Sequence, residues 1–347
     1  MATADSLKSQ DVFEQEKPPL EHVLLALGRA EDRLSRLDER VRLSGFADGW
    51  RARADIRAVI GALWDDGELV HAEDLLLRIN EADIRAPDPA TLRGWTAYRG
   101  RQRAARGGDE LLSWRGVAWL CGRIENAPPP GRRVSTATDQ AAGPNGVWAA
   151  LEAFFARLRQ GSTDGPRAGV EDCLGVLDAV AEAPTLLLAA AFMEAWRLVD
   201  PLPAQRFAGP LLAAVVLRSQ RRFSAGLFPL EVGVRRNRMP PQLEWAALSH
   251  RLAYWLQTFA LAAELELEEI VRLGHRKTQM ERLIVGGRRS SHAPAFAALL
   301  IELPVVTTEL IGRRLQITPQ ASLQLIKRFG GALQELTGRS RYRVWRL

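Results

Sequence analysis

The chain has 347 residues, a formal net charge of +6, a sequence pI near 9.9, 47% hydrophobic residues and 25% charged residues. This is the range of an ordinary globular protein of two or three domains, with a modestly basic balance that suits an anionic partner. It excludes a transmembrane helix, because no window reaches about 18 consecutive apolar residues, and a disulfide or cysteine–metal framework, because Cys121 and Cys173 stand alone and far apart.

Residues 1–19, polar and without the apolar core of a signal peptide, read as disordered, and a reducing cytoplasm is the expected compartment. From about Leu20 to Leu43, the residues Val23, Leu27, Leu34, Leu37 and Val41 recur at helical spacings with charged residues between them, which predicts an amphipathic helix. Gly45 and Gly49 break that pattern. A second helix follows through Ile56, Ile60 and Leu63 and stops at Asp65-Asp66-Gly67. "ELVHAEDLLLRI" starts a third, and "APDPATLRG" places the start of a fourth at Thr91. Together these make an N-terminal helical region over 20–124. The stretch 125–146, rich in Pro, Gly, Ser and Thr, reads as a linker or loop. Residues 147–289 read as a central helical bundle, broken once at Arg159 to Gly169. Several of its helices are apolar most of the way round, which puts them inside a bundle.

The last segment, 290–347, can be read piece by piece. "SSHAPAFAALLIELP" is a short helix with Ser291 as its cap and Pro304 after its end. Thr307 or Thr308 then caps a helix whose Leu310, Ile311 and Leu315 face inward, and Gln316-Ile317 make a sharp turn. Thr318 caps a second helix with Pro319 at its first position, where a missing N–H costs nothing. Ala321, Ser322, Leu325, Ile326 and Phe329 supply its packed side, which leaves Thr318, Gln320, Gln324 and Lys327 on the other. "LTGRSRYRVWRL" follows. Gly338 and Ser340 suit a turn, and Tyr342, Val344 and Trp345 favour a strand. Arg339, Arg341 and Arg343 leave one side of that hairpin basic, while the other side packs. The plan is a winged helix-turn-helix, in which the second helix enters the major groove and the wing meets phosphates or the adjacent minor groove of double-stranded DNA. Gln320 and Gln324 are the expected base readers, since Gln pairs bidentately with adenine. A winged helix used only for protein contacts is the alternative.

"VVTTELIGRRLQITPQASLQLI" followed by "LTGRSRYRVWRL" resembles the C-terminal helix-turn-helix of an uncharacterised bacterial family that pairs a domain of unknown function with a DNA-binding domain. The likeness extends through "RRSSHAPA", "FPLEVGVRR", "LWDDGELVHAEDLLL" and "ADIRAPDPATLRG", and so covers most of the chain. It implies a regulator of unknown target. The stretch "AFMEAWRLVDPLPAQRFAGPLLAAVVL" is more distantly similar to Fic-domain proteins, whose motif is His-Pro-Phe followed by Gly-Asn-Gly-Arg. Asp200 stands where that motif has its His, before Pro201 and Leu202, and "PAQRFAGP" stands where the glycine loop belongs. The resemblance implies a degenerate Fic-like helical scaffold that lacks both the base and the phosphate cradle. A residual nucleotidyl or phosphoryl transferase using other residues remains an alternative.

Other candidates are bland. His71 and Asp74 share a helix face at three-residue spacing, but no further ligand accompanies them, so a surface capping or salt-bridge role is expected. His22, His250, His275 and His292 have no identifiable partners, and no phosphate-binding glycine fingerprint is present. The expectation is therefore a mostly α protein, non-enzymatic, without metal or cofactor. It binds double-stranded DNA as a homodimer, regulates transcription and has no membrane association.

Overall fold

The computed structural model describes residues 20–83, 86–128, 143–161, 165–284, 292–338 and 343–347. The N-terminal helices are α1 (Leu20–Leu43), α2 (Ala47–Asp65), α3 (Ala72–Ile79), α4 (Pro89–Arg106) and α5 (Trp114–Leu120). The central ones are α6 (Pro144–Gln160), α7 (Gly165–Ala179), α8 (Thr185–Val199), α9 (Ala208–Ser219), α10 (Leu230–Arg236) and α11 (Leu248–Ile284). The α1 residues read as apolar-periodic from the sequence are all buried, and they lie along α11. Within α8 every residue from Leu186 to Trp196 is buried, and within α9 every residue from Ala208 to Leu217, as helices at the centre of a bundle must be. One continuous core takes side chains from α1, α2, α4, α8, α9, α10 and α11, so the N-terminal and central helices bury a common interior. The fourth helix begins two residues before Thr91. The Asp88 carboxylate accepts the Thr91 N–H at 2.6 Å and Pro89 occupies the first turn, so Asp88 rather than Thr91 is the cap.

Arginines tie these helices together from inside. Arg101 on α4 pairs with Asp55 at 2.9 Å and with Glu231 at 3.1 Å, joining α4, α2 and α10. Glu194 on α8 is fully buried and receives Arg197 at 2.8 Å, Arg251 at 2.6 Å and the Trp255 indole N–H at 3.1 Å. Burial alone would raise the Glu194 carboxyl, but these donors outweigh it and hold the carboxyl below its usual range. Arg57 on α2 forks onto Glu266 of α11, with one N–H···O at 2.9 Å. Removing one partner of such a pair leaves an uncompensated buried charge, at a cost of about 3–5 kcal/mol.

A second, smaller core belongs to the last segment: α12 (Ala293–Glu302), β1 (Val306–Thr307), α13 (Thr308–Leu315), α14 (Pro319–Arg328), β2 (Gln334–Glu335) and β3 (Val344–Arg346). Phe296 and Phe329 meet edge-to-face in it, with ring centroids 5.2 Å apart. The strands form an antiparallel sheet ordered β1-β3-β2, with Val306 opposite Trp345 and Glu335 opposite Trp345 on the other side. Two helices followed by this hairpin give the winged form of the helix-turn-helix.

The sheet departs from the expected one-sided wing. β3 is the central strand, and both of its faces are covered: Trp345 packs into the small core, while Val344 joins the large one. β1 was missed because two residues are too few to show alternation. α11 crosses the boundary as well, since its Leu252 to Leu273 line the large core and Met280 belongs to the small one. A single 37-residue helix, about 55 Å long, therefore runs through both units.

Candidate nucleic-acid interface

The helix pair is built from its caps. The Thr307 hydroxyl accepts the Leu310 N–H at 3.1 Å and so starts α13. Gln316 then takes a left-handed conformation (φ 54°) that closes the helix, and the Ile317 N–H returns to the Gly312 carbonyl at 3.1 Å. The Thr318 hydroxyl accepts the Ala321 N–H at 3.2 Å and starts α14, with Pro319 in its first turn. Ser322, Ile326 and Phe329 are buried, as the spacing required. Thr318, Gln320, Gln324 and Lys327 are exposed. Leu323 shares that exposed face and is 47% exposed. It was not singled out from the sequence, where it read as one more apolar residue in an amphipathic helix. Exposed apolar side chains on such a face suit the thymine methyl group.

In the hairpin, Gly338 adopts φ +60°, the turn geometry its lack of a Cβ allows. Arg339, Arg341 and Tyr342 lie outside the described residues, as do Ser340 and Ser291. Arg343 is part-exposed and lies 3.6 Å from Glu335 across the hairpin. Arg346 turns the other way: it donates to Gln334 and pairs with Glu73 of α3 at 2.6 Å, binding the strand to the bundle.

The whole unit is latched to α2 by Arg53. Its guanidinium donates to the carbonyls of Ile301 at 2.7 Å, Leu300 at 2.9 Å and Leu303 at 2.8 Å, and to Gly49 at 2.9 Å within its own helix. Three of these acceptors cap the C-terminus of α12, where a cation is favoured by the unpaired carbonyls and the helix dipole. Gly49 permits the approach, because a methyl there would collide with the Ile301 carbonyl.

Asp200 closes α8 in a left-handed conformation (φ 42°) and pairs with Arg206 at 3.1 Å. The N–H groups of Ala208 and Gly209, at the start of α9, donate to the Gln205 and Arg206 carbonyls at 3.1 Å and are thus occupied by the loop itself. His71 is the residue before α3, and its side chain makes no capping hydrogen bond, so the capping role expected for it is not seen. Among the described residues, no cluster of three or more His, Cys, Asp or Glu is placed to hold a metal ion, and no helix is long and apolar enough to cross a membrane.

Comparison with known proteins bears on both halves. Residues 169–285 match the model of a family described as a protein of unknown function, DUF1612. Residues 293–347 match the model described as a helix-turn-helix DNA binding domain. The uncharacterized protein y4cF of Sinorhizobium fredii (strain NBRC 101917 / NGR234) is 29% identical over 363 residues, covering 90% of this chain and 93% of the relative. Among solved structures, a Fic family protein from Desulfovibrio desulfuricans G20 aligns over 96% of this chain and 97% of its own, with 13% identity and a TM-score of 0.44. The chain therefore joins a region that matches a family of unknown function, DUF1612, to a C-terminal segment that matches a helix-turn-helix DNA-binding domain.

Proposed function

We propose that the protein is a sequence-specific, homodimeric DNA-binding regulator of transcription in the cytoplasm, and not an enzyme. The observation that carries this reading is the exposed face of α14. Gln320, Leu323, Gln324 and Lys327 recur at helical spacing on a helix held rigidly from behind by Ser322, Ile326 and Phe329. Two amide side chains one turn apart can read base edges, with an apolar side chain between them and a lysine at the far end for phosphate. Arg343 stands at the hairpin, and Arg339 and Arg341 complete the proposed backbone contacts. The central bundle presents this unit rather than performing chemistry: Asp200 is engaged by Arg206, and the α9 start donates to its own chain.

The test is titration of the intact protein with genomic and random duplexes at two salt concentrations. A preferred site, with affinity falling steeply as salt rises through counterion release, is expected. Equal affinity for all duplexes, or salt-insensitive binding, overturns the reading.

A further inference from the structure

We propose that the cleft between the bundle and the hairpin, lined by Arg53, Arg57, Arg272, Arg276 and Arg346, is a binding site for a small phosphate-bearing molecule. Its volume is about 600 Å³, and α2, α11, the turn after α14 and strands β2 and β3 all contribute walls. That lies within the ~300–1,000 Å³ typical of small-molecule sites, and a junction between two units is where such sites recur. Guanidinium forks match phosphate oxygens bidentately.

Three of the five arginines already have carboxylate partners: Arg57 with Glu266, Arg272 with Glu268 and Glu269, and Arg346 with Glu73. The other two do not. Arg53 is held by carbonyls, and neither it nor Arg276 makes an ion pair among the described residues. Burial first, then repulsion from Arg57 and Arg276, lowers the Arg53 guanidinium to about 10, with Glu269 offsetting only part. The cleft thus keeps an excess of positive charge where a ligand would neutralise it.

The volume suits a small ligand rather than a length of duplex. On the DNA-binding reading above, such a ligand is an effector, since it would tie α2 and α11 to the hairpin beside the Arg53 latch.

The test uses the full chain, with inorganic phosphate, pyrophosphate and adenosine monophosphate as probes at constant ionic strength, and calorimetric binding and thermal unfolding as readouts. Saturable binding with a raised unfolding midpoint is expected for pyrophosphate. It should weaken at least tenfold in Arg276→Ala, whose side chain is exposed. The exposed control Arg167→Ala should bind as the wild type does. No saturable binding by any probe, unchanged binding in Arg276→Ala, or equal binding of sulfate overturns the proposal. So does loss of duplex affinity in Arg276→Ala without any pyrophosphate binding, which would place the cleft in the DNA interface. A protein that takes pyrophosphate but no duplex supports the cleft and sinks the DNA reading; the reverse result does the opposite.

Discussion

At the scale of single residues, the proposed function divides reading from positioning between α14 and the hairpin. Replacing Gln320 or Gln324 by Ala should weaken the preferred site by about 1–3 kcal/mol and leave random duplexes almost unchanged. Replacing Arg343 should weaken all duplexes similarly and flatten the salt dependence. Paired titrations decide this, and equal loss on both duplexes by the Gln variants would remove them as readers. The caps Thr307 and Thr318 were legible because a side-chain hydroxyl before an apolar-periodic run is a local signal. Leu323 was not legible, since only its packing distinguishes it from a core leucine. Asp66 read as part of a helix end. Burial first, then repulsion from Asp65, pushes its carboxyl up to about 6, and one of its oxygens is buried without a partner among the described residues. A carboxyl whose folded pKa is raised binds its proton more tightly in the folded state. Its ionisation therefore costs stability as pH rises from about 4 through 6. Asp66→Asn should be more stable than wild type at pH 8 by about 1 kcal/mol, after discounting for solvent screening, and equally stable near pH 3. Denaturant midpoints across that range check it, and a gain that grows toward low pH would contradict it.

At the scale of elements, the helices were readable because apolar periodicity is local, and α1 runs over the residues its spacing marked. The contacts that orient the elements were not readable. Arg53 looks like one more arginine in a chain whose 47 basic residues are nearly all arginine, yet its acceptors lie about 250 residues away. The central position of β3, with Val344 and Trp345 both buried, depends on a bundle face no local pattern reveals. Arg53→Ala would strip three carbonyls at the end of α12 of their donor, at a cost of about 3 kcal/mol. Gly49→Ala would push the same helix off α2 by collision. Both variants should raise hydrogen exchange in α12 and α13 while the amides of α8 and α9 stay protected. Uniform loss of protection would show instead that the latch belongs to one indivisible folding unit.

At the scale of the whole molecule, the apolar character of the central region does not mark it as an association surface, because α8 and α9 spend their apolar residues on the core. A partner has to meet what remains outside, where Leu24, Leu25 and Trp245 are 51%, 61% and 89% exposed. The reason to expect a second copy lies in recognition. On the proposed reading one α14 offers four exposed side chains to a groove, and each base contact would discriminate by about 1–3 kcal/mol. A specific site must be preferred over the mass of genomic competitors by roughly 4–10 kcal/mol, which two related half-sites supply more readily than one. Because α11 and the Arg53 latch fix the helix-turn-helix to the bundle, a dimer made through the bundle would hold its two α14 helices at a set separation. Inserting five base pairs, half a helical turn, between half-sites should then abolish tight binding, and inserting ten should restore part of it. Sedimentation of the free protein and of its complex should give two chains per duplex. A single chain per duplex at micromolar concentration, with affinity indifferent to the spacer, would show that one winged helix binds alone.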